Sequence, residues 1–165
     1  MAAMSARRRD DLYAFDATLH RLPDEPVAGP LHADAWGTWP TLAVEHAQTV
    51  VPLRTGFDDA FMRLGGIERM FVEPDGSFVW TSPREGLSWQ IEGNAFEKDG
   101  RVLLVDLKGS CPPAAFDKLL AAFGWPDEAV MVQLVKPAVF LDEATFRRHA
   151  AARGAAGDGE TLRPR

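Results

Sequence analysis

The chain has little cysteine, little tyrosine and little lysine: one, one and four residues among 165. The lone Cys111 excludes an internal disulfide framework and is the pattern expected in a reducing compartment. No apolar run approaches the roughly 20 residues needed to span a bilayer. The arginines at positions 7–9 precede no apolar core of a secretory signal. The expectation is a soluble, cytoplasmic protein with no membrane partner. The histidines, His20, His32, His46 and His149, form no HxH, HExxH or Cys/His grouping, so a zinc site has little support. There is no GxSxG elbow, and Leu64-Gly65-Gly66 closes a helix instead of opening one, the wrong polarity for holding a phosphate. With a formal charge of −6, the chain gains nothing from bulk attraction to phosphate, which disfavours extended nucleic-acid binding. The partner is expected to be a protein or a small ligand. Scarce Lys beside abundant Arg, Ala, Gly and Pro matches a GC-rich bacterial genome.

What is present suits one globular domain with a sizeable core. Hydrophobic residues make up 46%, with five Trp and ten Phe among them. Leu12, Phe15, Leu19 and Leu22 recur at helical intervals, predicting an N-terminal helical segment over 1–22, with the helix near 9–21. Residues 23–55 are a Pro/Gly-rich connection in which "TLAVEHAQTVVPL" reads as either strand or helix. From Gly56 the signals sharpen. Phe57, Ala60, Phe61 and Leu64 form a helical stripe, with Asp58 and Asp59 in the first turn and glycines at the end. "PDG" joins two strands, with Met70 facing Trp80 across that hairpin, and "LSWQIE" alternates cleanly. "EKDGR" turns into "VLLVDLKG". A helix follows Pro112-Pro113, then the strand "AVMVQLV", then a last helix capped by Asp142. The core over 56–152 reads α-β-β-β-β-α-β-α, and residues 153–165 read as a disordered tail. The fold class is α+β, a four- to five-stranded, mostly antiparallel sheet with helices packed on it.

The stretch "GRVLLVDLKGSCPP" carries the sharpest candidate site. If "EKDGR" is a type I turn with a glycine bulge, Glu97 pairs with Arg101, Glu92 faces Asp106 and Gln90 faces Lys108. Ile91, Leu103, Val105 and Leu107 then share the apolar face, and the four polar residues share the other. A one-residue slip would exchange the faces. Two facing carboxylates repel, and a divalent cation, Lys108, a shared proton or solvent would offset this. An oxygen-rich pair suits Mg²⁺. The plain alternative is a solvated sheet face that happens to carry these charges.

"IEG…LLVDLKG" resembles the signature of the PD-(D/E)xK nuclease superfamily, and the order of elements over residues 57–135 is similar as well. In that family an acid on one strand, an acid on the next and a lysine two residues later hold Mg²⁺ and activate water. The resemblance implies Glu92 and Asp106 as metal ligands, Lys108 as a catalytic lysine and Gln90 as its helper.

Two further sets are candidates. Cys111 lies at the start of a helix, where a thiol pKa can fall, and Lys108 would add to that. The alternative is a small buried residue. Trp80 and Trp89 fall on neighbouring strands, and Trp36, Trp39 and Trp125 sit among Gly and Pro. They read as core packing or as a ligand or partner surface. The leading expectation is a non-catalytic binding module using these aromatics. The alternative is a Mg²⁺-dependent nuclease or phosphodiesterase, and the third reading is a thiol enzyme on Cys111.

Overall fold

A computed structural model describes residues 12–157. Its first element is a strand, β1 (Tyr13–Arg21), where the spacing predicted a helix. Period two wins here over period 3.6. Phe15, Ala17 and Leu19 are buried in the core, while Asp16, Thr18 and His20 alternate with them on the other face. The helical spacing of Leu12, Phe15 and Leu19 is incidental. The part of the expected segment before Leu12 lies outside the described residues.

The connection over 23–55 folds as β2 (Val27–Ala28), β3 (His32–Asp34), β4 (Gly37–Trp39), β5 (Leu42–Ala43) and a single helical turn, α1 (His46–Thr49). The remaining elements are α2 (Phe57–Gly65), β6 (Met70–Val72), β7 (Ser77–Thr81), β8 (Gln90–Lys98), β9 (Arg101–Cys111), α3 (Pro113–Ala122), β10 (Val130–Leu134), β11 (Phe140–Asp142) and α4 (Glu143–Ala155). The fold is α+β, and the predicted α-β-β-β-β-α-β-α order from residue 56 stands with β11 added. The last helix runs to Ala155, past the expected start of the tail, and residues 158–165 lie outside the described residues.

The main sheet has nine antiparallel strands, not four or five, in the order β2-β5-β11-β10-β1-β9-β8-β7-β6, while β3 and β4 form a separate hairpin. The count grew because β1 inserts between β10 and β9, and because β2 and β5 of the connection extend the far edge. These pairings join residues far apart in sequence, so no local pattern announces them.

Helices α2, α3 and α4 cover one face. Phe15 and Phe78 from the sheet meet Phe116 of α3, Phe123 just past its end and Phe146 of α4, with ring centroids 5.6–6.3 Å apart. Burying each such ring stabilises the fold by about 1.5–3 kcal/mol. Gly93 makes room for this packing, since a Cβ there would lie 2.0 Å from the Phe78 ring. Asp142 caps α4 as expected, accepting from the Thr145 N–H at 2.7 Å. Among the described residues, no helix is long and apolar enough to cross a membrane.

Candidate functional site: the open sheet face

The β8–β9 hairpin turns on Asp99 and Gly100, at φ 53° and 78°. Both left-handed values belong to a two-residue type I′ turn, for which Asp-Gly is a preferred pair. Lys98 therefore pairs with Arg101, and Leu103 is the extra residue of a bulge opposite Phe96 and Glu97. The outcome differs from the expected register by two residues. Glu92 faces Lys108, and Asn94 faces Asp106. Gln90 pairs with Thr81 on β7. A shift of two preserves the faces, so Ile91, Val105 and Leu107 are buried and Glu92, Asp106 and Lys108 are exposed together. The polar face is as expected, but its partners are not, and Leu103, expected on the apolar face, is the half-buried bulge residue while Val102 is buried in its place.

β1 completes the site with residues that the sequence reading assigned to a helix. Thr18 lies opposite Asp106, and Asp16 opposite Lys108. Two rows of side chains then cross the sheet. One is Gln133, Thr18, Asp106, Asn94 and Ser77; the other is Asp16, Lys108, Glu92, Val79 and Phe71. Thr18 Oγ1 donates to Asp106 Oδ1 at 2.8 Å. Among the described residues, no helix lines the hollow of about 610 Å³ above these rows. Val79 lines it toward the sheet edge, and Phe71, next in that row, is 61% exposed. At the other end of the first row, His20 is buried, its Nε2 lies 3.2 Å from Gln133 Oε1, and burial pulls its pKa below the usual value despite Gln133 and Asp106. The period-two pattern of "FDATLH" was the signal that could have placed Asp16, Thr18 and His20 here.

The residues present do not fit a Mg²⁺ ion. Lys108 stands directly opposite Glu92, Asp106 is hydrogen-bonded by Thr18, and the two acids are diagonal neighbours, roughly 7–8 Å apart at the backbone. Among the described residues, no group of three or more His, Cys, Asp and Glu is placed to hold a metal.

Cys111 ends β9 with its side chain fully buried, and burial pushes its thiol far above the ordinary range, with Arg147 opposing only in part. A thiol held protonated and out of reach is the opposite of an activated nucleophile. The tryptophans do not form one surface. Trp80 and Trp89 are buried, edge to face at 5.1 Å, with Trp80 Nε1 donating to the Glu68 carbonyl. Trp125 lies under the Arg147 guanidinium, which also pairs with Asp117 at 2.7 Å. Trp36 and Trp39 flank the His149 ring at 5.5 and 5.1 Å.

That last group belongs to a second hollow, where β10 ends. Asp34 organises the β3–β4 hairpin. Its Oδ1 accepts from the Trp36 and Gly37 N–H groups and from Trp39 Nε1 at 2.9–3.1 Å, and its Oδ2 from His149 Nε2 at 2.8 Å. Burial raises the Asp34 pKa, but the bonds from Trp39, Trp36 and His149 outweigh it and hold the carboxyl below its usual range. His149 moves the other way for its type: desolvation outweighs the pairing with Asp34 and keeps the imidazole neutral to lower pH than usual. Nothing in the local sequence joins Asp34 to His149, 115 positions away.

No family model matches the chain, and no curated protein or solved structure matches it.

Proposed function

We propose that the protein is a non-catalytic binding module whose small ligand or protein partner lies on the open face of the sheet. One observation carries the reading. The rows led by Thr18–Asp106 and Asp16–Lys108 present acceptors, donors and charges from β1, β7, β8 and β9 over a hollow of about 610 Å³. That volume falls in the range of small-molecule sites. A rigid sheet fixes these groups without a loop having to order on binding, which lowers the entropic cost of recognition. The binding surface is thus polar and lies on the sheet, in place of the tryptophans expected from the sequence. No specific geometry favours a nuclease or a thiol enzyme.

The test is a thermal-shift screen of a metabolite and peptide library on wild type and on Asn94→Arg. Asn94 lies mid-row on a solvent-facing strand, so the substitution obstructs the hollow. Ligands are expected to raise the wild-type melting temperature and to lose that effect in the variant. A library without hits, or hits indifferent to Asn94→Arg, defeats the reading.

A further inference from the structure

We propose that the β3–β4 hairpin is an acid-released flap, latched onto α4 through the His149 ring and hinged beside the Gly29–Thr41 hydrogen bond. This holds whether or not the open face of the sheet binds a ligand.

The hairpin is attached differently from the rest of the fold. Among the described residues, its two strands pair only with each other, and residues 31–40 make no backbone hydrogen bond to any other part of the chain. Its neck is closed by the Gly29 N–H, which donates to the Thr41 carbonyl at 2.9 Å, and by Thr41 Oγ1, which donates to the Pro30 carbonyl. Beyond that neck, side chains hold it, and they converge on one ring. Asp34 Oδ2 accepts from His149 Nε2 at 2.8 Å. The Trp36 and Trp39 rings stand edge-on to the same imidazole, and Trp39 also touches the core. One turn further along α4, the Arg153 guanidinium lies 4.6 Å from the centre of the Trp36 ring. α4 itself is fixed against the start of β1, so closely that a Cβ on Gly154 would lie 1.6 Å from the Leu12 carbonyl oxygen. The hairpin is therefore the part that can move.

Protonation of His149 works against this latch. Asp34 is ionised and can only accept, so Nε2 carries the hydrogen and Nδ1 is left to take a second proton. Nδ1 is buried and has no hydrogen-bond partner. A proton there makes a donor without an acceptor and places a charge on a residue that is 1% exposed. Burial opposes that charge most strongly; Asp34 favours it, Arg153 and His32 oppose it, and the balance is against it. Across the adjoining hollow of about 370 Å³ stand Asp16 of β1, Lys108 of β9 and Lys136 of the β10–β11 turn. With the hairpin lifted, both ring nitrogens meet water. The open form then takes up the proton more readily, and acid shifts the equilibrium toward it. Asp34 and Trp36 wall that hollow, so lifting the hairpin widens it beside the open face, with which it shares Asp16, Lys108 and Val135.

Full-length protein is followed by amide hydrogen exchange at pH 7.5 and pH 5.5, with rates corrected for the intrinsic effect of pH. A two-stranded hairpin is marginal by itself, so its amides exchange when the flap lifts. The amides of residues 32–39 are expected to be less protected than those of β1 and β9 at both pH values. Their protection is expected to fall severalfold on acidification, with about tenfold as the bound for one ring that regains its ordinary 6.5 on opening. His149→Gln, whose amide can still donate to Asp34 but takes up no proton in this range, is expected to abolish that fall in the hairpin, while β1 keeps a dependence of its own through His20. Trp36→Ala, which loosens the latch without touching the titrating ring, is expected to lower hairpin protection at pH 7.5 and to leave β1 unchanged. Hairpin amides as protected as those of β1 would mean that the flap opens only with the whole fold, and the proposal fails. It fails equally if wild-type hairpin protection is indifferent to pH, if the fall persists in His149→Gln, or if Trp36→Ala exchanges as wild type does.

Discussion

His149 and His20 are buried and held neutral, and this has a consequence for stability. Desolvation is the largest cause for both and lowers each below the ordinary 6.5. Above that value neither the folded nor the unfolded chain protonates them, and their contribution is fully present. As pH falls below it, the unfolded chain takes up protons that the folded chain does not, so stability is lost. Asp34 adds to the loss at lower pH still, since its depressed carboxyl stabilises the fold above the ordinary 3.8 and ceases to do so as it protonates. The melting temperature is therefore expected to fall between about pH 7.5 and about pH 5.5. His149→Gln is expected to lower it at the upper pH and to flatten the decline. A melting temperature that is flat or rises on acidification would contradict the burial of these rings. None of this was legible beforehand. His149 sits in a helix whose sequence gives no sign of Asp34, and His20 was placed on a helix by the spacing of its leucines.

The elements were more legible than their neighbours. Asp58, Asp59 and the closing glycines gave α2, Pro112-Pro113 gave the start of α3, and Asp142 gave the cap of α4, because capping chemistry is local. The β6–β7 register was also readable, with Met70 opposite Trp80. The β8–β9 register was not, because the reading chose a three-residue turn where Asp99-Gly100 makes a two-residue one. Helix α4 provides a test at this scale. Replacing a helical glycine by alanine ordinarily stabilises by about 1 kcal/mol. At Gly154 the added Cβ would meet a backbone oxygen at 1.6 Å, and forcing such a contact apart costs roughly 1–3 kcal/mol or more. The clash outweighs the propensity. Gly154→Ala is expected to lower the urea midpoint by an amount equivalent to roughly 1 kcal/mol or more. A raised midpoint would mean that α4 does not lie against the start of β1.

At the scale of the molecule, the long sheet is covered by helices on one face, while among the described residues none packs over the middle of the other. Cys111 reports on the covered side. It lies on β9 with no exposed surface. Its alkylation therefore requires opening of the core, and burial keeps the sulfur protonated besides. Labelling of native protein near neutral pH is expected to be slower than labelling in denaturant by orders of magnitude, and to accelerate across the unfolding transition. Fast labelling in buffer would mean that the helical layer opens readily. The open face offers no such protection, and its groups meet solvent or a ligand.

The sequence alone determined which side of β8 and of the second half of β9 points where. The backbone repeats every two residues, and the true register differs from the expected one by an even number at this site, so Glu92, Asp106 and Lys108 shared a face although the turn was misread. It also determined where most helices begin and end, because caps act within one turn. Only the tertiary structure decided who stands beside whom. β1 had to enter between β9 and β10 before Thr18 could reach Asp106, and α4 had to cross the chain before Asp34 could find His149. Such pairings are chosen by burial of the whole core, in which many distant residues contribute together, and no stretch of the chain carries that choice by itself.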